Sequence, residues 1–451
     1  MNLLFYCILN LFSIFYDTHQ AETDAAIKVD YKWTFAQFQY PDAKAREEAE
    51  QKHLYIQENV AIIDSDYYSQ DEKSPKRVFV TTPQLKDGIP YTISEVTTEL
   101  DSQGEPFLKP FPGFDKAAGA SADPATCEFA KSVFRVHVDK CGLLWVLDSG
   151  RVNVFVNTTR VCRPKLLIYD LKNHDSLLLS YEFPDGVIIS GSLPITLVTE
   201  SYKEDCSDSI AYIADVVGYG LIVFDLQNKA SWRVSHNYFY PTQTAGTATI
   251  VGITLDIMDG IFGLTLGPGD SNTRKLYFHS YASFRESWAR VSDLKNTAIT
   301  QNPDEIRKKI EISDEARTGQ STVEVMTNDG ILLFADIPGL SIKCWNSNTP
   351  FVKGNLHDIY KNEENLQFIS GMKLKNDTEL IITTCRLQNY AVGRSNGPDV
   401  KYRIITIDDV HKLLKGSPCL NPDGSVEGSP GSNPDGSVEG SPGSNPECCD
   451  W

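Results

Sequence analysis

Between about residues 30 and 415, apolar and polar positions alternate in short runs separated by turn residues. "KLLIYDL" (165–171) passes through "KNHD" into "SLLLSYEF", and "SIAYIADV" (209–216) passes through "VGYG" into "LIVFDL". "GIFGLTL" (260–266) leads through "GPGDSNTR" to "KLYFHSY", while "RVFVTT" (77–82) ends in the turn-rich "PQLKDGIPYT". "VEVMTNDGILLFADI" (323–337) and "MKLKNDTELIITTC" (372–385) share one layout of strand, Asp turn, strand. Val, Ile, Tyr and Phe at a period of two predict strands, and Asp-Gly or Asn-Asp predicts the turns between them. Helical periodicity is predicted only in "DAKAREEAEQKHLYI" near the start and "NPDEIRKKIEI" near residue 302.

The chain is therefore all-β, and about 385 residues of recurring hairpins exceed an ordinary sandwich. A β-propeller is the economical solution, because each blade extends one packed ring and leaves few open edges, and six blades would fit this length. Blades of ~60 residues are longer than the ~40–50 of compact propeller repeats.

Both ends differ from this pattern. The apolar run Leu3 to Tyr16 is too short to span a bilayer as an ordinary helix and suits a signal peptide over residues 1–21, cleaved near Ala21. The propeller domain is predicted over 30–416. Residues 417–451 repeat "NPDGSVEGSPGS" at 421–432 and 433–444 and end in "NPECCDW". That composition cannot bury enough apolar surface to fold alone, so a disordered tail is predicted.

"VFRVHVDKCGLLWVLDSG" (133–150) reads as a hairpin. Alternation places Phe134, Val136 and Val138 on one face and Val133, Arg135, His137 and Asp139 on the other. The Asp turn recurs elsewhere, so Asp139 is a turn residue bonding its own backbone, and His137 is a partner for a carboxylate.

With 42 basic against 60 acidic residues the formal charge is −18, which argues against a nucleic-acid partner. No second apolar run of membrane length follows the first, so no membrane span is expected. Nine cysteines remain after Cys7 and none forms a CxxC pair, so disulfides are favoured over a thiolate zinc site. Asn157 and Asn376 lie in sequons for N-glycans. Cys448 and Cys449 offer thiols for an intermolecular disulfide. The eight histidines (19, 53, 137, 174, 236, 279, 357 and 411) show no ligand spacing, and nucleophile-elbow, HExxH, Walker and dinucleotide patterns are lacking. Neither a metal nor a cofactor is expected from spacing.

The 133–150 stretch resembles the hallmark block of the insect yellow and major royal jelly protein family. Further blocks follow its order: "RVFVTTPQLKDGIPYTISEV" (77–96), "CRPKLLIYDL" (162–171), "YIADVVGYGLIVFD" (212–225), "DGIFGLTLGP" (259–268), "LYFHSYASFRE" (276–286), "IKCWN" (342–346) and "LQFISGMKL" (366–374). The resemblance implies a secreted, extracellular six-bladed propeller with a ligand cavity at one end of its central channel. It also implies the pairings Cys141–Cys206, Cys344–Cys419 and Cys127–Cys162, with Cys385, Cys448 and Cys449 unassigned.

Family members are linked to melanin and cuticle colour; some convert dopachrome, others bind small amines or serve as food proteins. The resemblance implies a protein of melanin pigmentation or cuticle formation that binds a small aromatic, catechol-derived ligand. The alternatives are a dopachrome-converting isomerase and a secreted storage or structural protein. Conversion needs a positioned base and a stabilised oxyanion, and His236, His279, Arg285 and Glu286 sit in matching blocks. The amine-binding branch uses a Ser-Asn pair followed by an aromatic. In "TTCRLQ" Cys385 replaces the Asn and Leu387 the aromatic, while Ser370 remains a polar contact.

Overall fold

The computed structural model describes residues 27–71, 73–117 and 126–420. The signal-peptide assignment, nearly all of the repeat tail, Cys448 and Cys449 lie outside them. Six four-stranded antiparallel sheets form six blades in a closed ring. Blade 1 runs Asp64–Tyr68, Arg77–Thr81, Ile93–Leu100 and Pro106–Pro110; blade 2 runs Val133–Val138, Leu143–Asp148, Lys165–Asp170 and Ser176–Glu182. Blade 3 comprises Pro194–Glu200, Ile210–Asp215, Gly220–Asp225 and Ala230–Val234; blade 4 comprises Ile261–Leu266, Lys275–Ser280, Ser287–Arg290 and Ile310–Ile312. Blade 5 holds Glu324–Met326, Ile331–Asp336, Ser341–Asn346 and His357–Lys361.

Blade 6 joins the two ends of the folded chain. Ile369–Lys375, Glu379–Cys385 and Tyr402–Ile407 are completed by Ile27–Trp33, with Ile27 opposite Ile407 and Trp33 opposite Tyr402. Ring closure therefore rests on backbone hydrogen bonds between the beginning and the end of the fold, with Ile27–Trp33 as the outer strand of the blade. This strand starts three residues before the predicted boundary at 30. Its "IKVDYKW" is mostly exposed, so alternation did not mark its start.

The first strand of each blade lines the axis and contacts the first strands of its neighbours. All six inner strands run the same way, from a front end at their N-termini to a back end at their C-termini. Faces between blades are filled by the alternating apolar residues; Val136, Val138, Leu144 and Val146 pack with Phe79 of blade 1.

Two details depart from the sequence expectation. "NPDEIRKKIEI" forms only one helical turn, Pro303–Ile306, capped by the Asn302 side chain, and Ile310–Ile312 then becomes the outer strand of blade 4. A β-bulge between Val133 and Val136 breaks the alternation, so Val133 packs with Val136 and Val138 while Phe134 faces the axis cavity with Arg135.

Asp139 is a turn residue: its Oδ1 accepts from the Cys141 and Leu143 amides at 2.9 and 3.0 Å, and its Oδ2 accepts from Trp145 Nε1 at 2.9 Å. Asp148 is also structural, accepting from the amides of Lys131 and Ser132 at 2.9 Å and of Gly150 at 3.0 Å. Disulfides join Cys127–Cys162, Cys141–Cys206 and Cys344–Cys419, and Cys385 is a buried free thiol. No helix among the described residues is long and apolar enough to cross a membrane.

Candidate functional site

Two hollows meet on the propeller axis, divided by Arg135. The guanidinium is almost fully buried and ties the ring together. Nη1 donates to Thr196 Oγ1 of blade 3 at 2.6 Å, and Nη2 donates to the carbonyls of Thr322 at 3.0 Å and Ser370 at 2.8 Å. The group also stands 5.0 Å over the Phe262 ring of blade 4. Burial pushes its pKa down to about 10, against the pull of Asp64 in blade 1. One side chain thus addresses all six blades.

The front hollow has a volume of about 300 Å³ and a mainly apolar wall, at the lower end of the ~300–1,000 Å³ typical of small-molecule sites. Five aromatic rings contribute: Phe134, Phe155, Phe262, Tyr281 and Phe368. Front-end loops supply Phe155 and Thr158 from 149–164, Asp259 from the link into blade 4, and Leu387 from the link after Cys385. Rigid inner strands therefore form the floor and connecting loops the rim, the usual division for a binding site.

Asp259 is the chemically distinctive group here. No described side chain donates to its carboxylate, and burial alone raises its pKa to about 7. Tyr281 lines the same wall, its hydroxyl buried without a partner, and burial followed by Asp259 holds that phenol above its ordinary value. The cavity so combines flat apolar walls, a carboxyl poised near neutrality, an unpaired hydroxyl and a cationic floor.

The back hollow is wider, about 1150 Å³, and polar. Its ions are paired: Lys373 Nζ lies 3.0 Å from Asp64 Oδ2, and Lys375 Nζ lies 2.5 Å from Asp66 Oδ1. Burial acts to raise Asp66, but Lys375 and Lys373 hold it below the usual carboxylate range. His137 faces Asp66 at 3.8 Å and Thr199 Oγ1 at 3.1 Å; burial pushes its pKa down to about 3, so it stays neutral.

The residues singled out from sequence fall in different places. Ser370 and Leu387 line the front cavity, whereas Cys385 sits behind Ser370 and burial raises its thiol to about 12. His236 caps a short 3₁₀ turn by accepting from the Tyr238 amide at 3.2 Å. Arg285 faces Glu315 at 3.7 Å on the surface. His279 and Glu286 are buried between blades 4 and 5, away from the front cavity. Asn157 is exposed beside the front rim, and Asn376 lies in the back-end hairpin of blade 6. Asp259 was overlooked because Asp-Gly before a strand reads as a turn, and its side chain faces the axis only once the ring has closed.

The profile described as "Major royal jelly protein" matches residues 131–419. A Dopaminechrome tautomerase of Drosophila melanogaster is 29% identical over 411 residues, covering 90% of this chain and 86% of its own. Protein yellow of Drosophila melanogaster is 30% identical over 381 residues, covering 83% of this chain and 68% of its own. Among solved structures, a virginiamycin B lyase from Staphylococcus aureus aligns over 72% of this chain and 78% of its own at 11% identity, with a TM-score of 0.38. The chain belongs to the yellow and major royal jelly protein family.

Proposed function

We propose that this protein is a secreted member of the melanin and cuticle pigmentation machinery that binds a catechol-derived aminochrome in the front cavity and catalyses its tautomerisation. The observation that carries the reading is Asp259: an unpaired carboxyl, titrating near 7, among aromatic walls. A relative named for dopaminechrome supports the substrate class, and three disulfides suit an oxidising compartment.

An aminochrome becomes a dihydroxyindole by two proton shifts: each of its two saturated ring carbons loses one proton and each of its two quinone oxygens gains one. Asp259 is the base for the first transfer, and a pKa near the working pH lets it both take and return the proton. Arg135 and the Tyr281 hydroxyl are the groups available to stabilise charge arriving on the quinone oxygen. The test is loss of dopaminechrome visible absorbance with purified protein. Asp259→Asn is expected to lower kcat by roughly 10²–10⁴-fold, and a wild-type rate equal to buffer overturns the enzyme.

The same carboxylate among rings also favours a second reading, capture of a catecholamine ammonium by charge and cation–π contact. Calorimetry with dopamine tests it: binding that Asp259→Asn abolishes, without aminochrome turnover, selects this reading over the first.

A further inference from the structure

A second cluster of ionisable groups lies between blades 4 and 5, apart from the front cavity. His279 comes from the second strand of blade 4 and Glu286 from the turn before its third. Arg317 comes from the link into blade 5, and Glu324 opens the inner strand of that blade. Their exposures are 1%, 0%, 5% and 3% in that order.

Its internal bonding is incomplete. His279 Nδ1 lies 3.2 Å from Glu286 Oε2 and 3.0 Å from Glu324 Oε2, so one ring nitrogen with at most one proton faces two carboxylate oxygens. His279 Nε2, Glu286 Oε1 and Glu324 Oε1 are all buried without a hydrogen-bond partner. His279 Nε2 faces Gly263, while the two orphaned oxygens belong to the carboxylates that meet Nδ1, and these are what an ion beside that nitrogen would explain.

We propose that His279, Glu286 and Glu324 form a binding site for one divalent ion of the zinc or manganese class, which pins blade 4 to blade 5. One donor atom from each residue lies within 4.8 Å of the others. Bonds of ~2.0–2.1 Å in a tetrahedral set put neighbouring donors ~3.3 Å apart, close to the two spacings seen. An imidazole with two carboxylates suits Zn²⁺ or Mn²⁺ and lacks the thiolates that favour softer ions.

The surroundings fit. Arg317 Nη1 donates to Glu286 Oε2 at 2.6 Å, orienting that carboxylate from outside the donor set. Gly263 lets the imidazole lie against the blade 4 backbone, since a Cβ there would stand 2.4 Å from His279 Cε1. Glu324 also borders the wide back hollow. The competing occupant is a proton: with His279 protonated, two cations balance two carboxylates. An ion must displace that proton, so its binding releases one and weakens as pH falls.

The test uses the full chain. Metal analysis of protein purified without chelator is expected to find about one zinc or manganese per chain. After chelation, calorimetric titration with Zn²⁺ or Mn²⁺ is expected to show one site, a proton released into the buffer and a rise in Tm. Glu324→Gln keeps the side-chain shape and should remain folded by circular dichroism while losing the site. Wild-type protein that carries no metal and gives neither heat nor a Tm shift overturns the proposal and leaves a proton-only cluster. Equal binding by folded Glu324→Gln overturns it as well, because the ion would then sit elsewhere.

Discussion

Asp259→Asn should make the protein more stable at alkaline pH while disabling it. Burial moves this carboxyl from 3.8 to about 7, so holding it ionised in the fold costs about 4 kcal/mol relative to the unfolded chain. The front cavity gives it some contact with solvent, which screens part of the cost and leaves about 2–4 kcal/mol. Below pH 4 both states carry the proton and the group is neutral in the balance. Between about 4 and 7 the unfolded chain gives up its proton while the fold keeps it, so the wild type loses stability as pH rises, levelling off above 7. Asparagine imitates the protonated form at every pH. Unfolding entropy of ~2.1 cal/mol/K per residue over ~390 residues is ~0.8 kcal/mol/K, so the variant should melt about 2–5 °C higher at pH 8. At pH 4 the two proteins should melt together. Scanning calorimetry at both pH values decides it. Equal Tm at pH 8, or a variant less stable there, would mean that the carboxylate is satisfied by a partner and is not poised as a base.

Arg135→Met should cost about 3–5 kcal/mol in denaturant unfolding, because it severs contacts to blades 3, 5 and 6 and leaves the buried Thr196 hydroxyl and the Thr322 and Ser370 carbonyls without that donor; a loss below 1 kcal/mol would remove its role as the axial tie. His137, neutral with a pKa near 3, should show no ring titration by NMR above about pH 4. Its share of stability is complete above about 6.5 and is lost as pH falls toward 3. A ring that titrates near 6.5 would mean that solvent reaches the Asp66 pair. Gly150→Ala should destabilise by at least about 2 kcal/mol, since φ is +62° and a Cβ would stand 2.1 Å from the Cys162 carbonyl oxygen; a neutral effect on Tm would show that this turn can shift.

The fold was legible because its signal is local. Hairpins such as Leu143–Asp148 against Val133–Val138 carry their own turn residue in Asp139, and Val136, Val138, Leu144 and Val146 fall at the strand period on one packed face. What stayed hidden depends on contacts distant in sequence. The closing strand Ile27–Trp33 is an exposed outer strand, so its apolar alternation is weak, and only pairing with Tyr402–Ile407 defines it. "IRKKIEI" looks helical until Ile310 and Ile312 find the edge of blade 4. Arg135 shares one face of its strand with Val133, His137 and Asp139 in the sequence pattern, and the bulge beside it carries no turn signal of its own.

That difference explains why the conspicuous residues and the useful ones separate. In a propeller each blade supplies one strand to the axis, so a site there is assembled from single residues spread across the whole chain, as Phe134, Asp259, Thr322 and Ser370 are. No short motif can encode it. The blocks that identify the family are instead the hairpins and turns that set blade geometry, where Asp139, Asp148 and Gly150 serve the backbone. His279 and Glu286 attracted notice because they sit in blocks that match the family, yet they meet Glu324 of the next blade and turn away from the cavity. Asp259 appeared only as the first residue of the block 259–268, and an unpaired carboxyl among aromatic rings is what distinguishes it from the buried acids of the fold. Reading such a chain for chemistry therefore means asking which charged residue reaches the axis without a partner, and Asp259 is where that question leads.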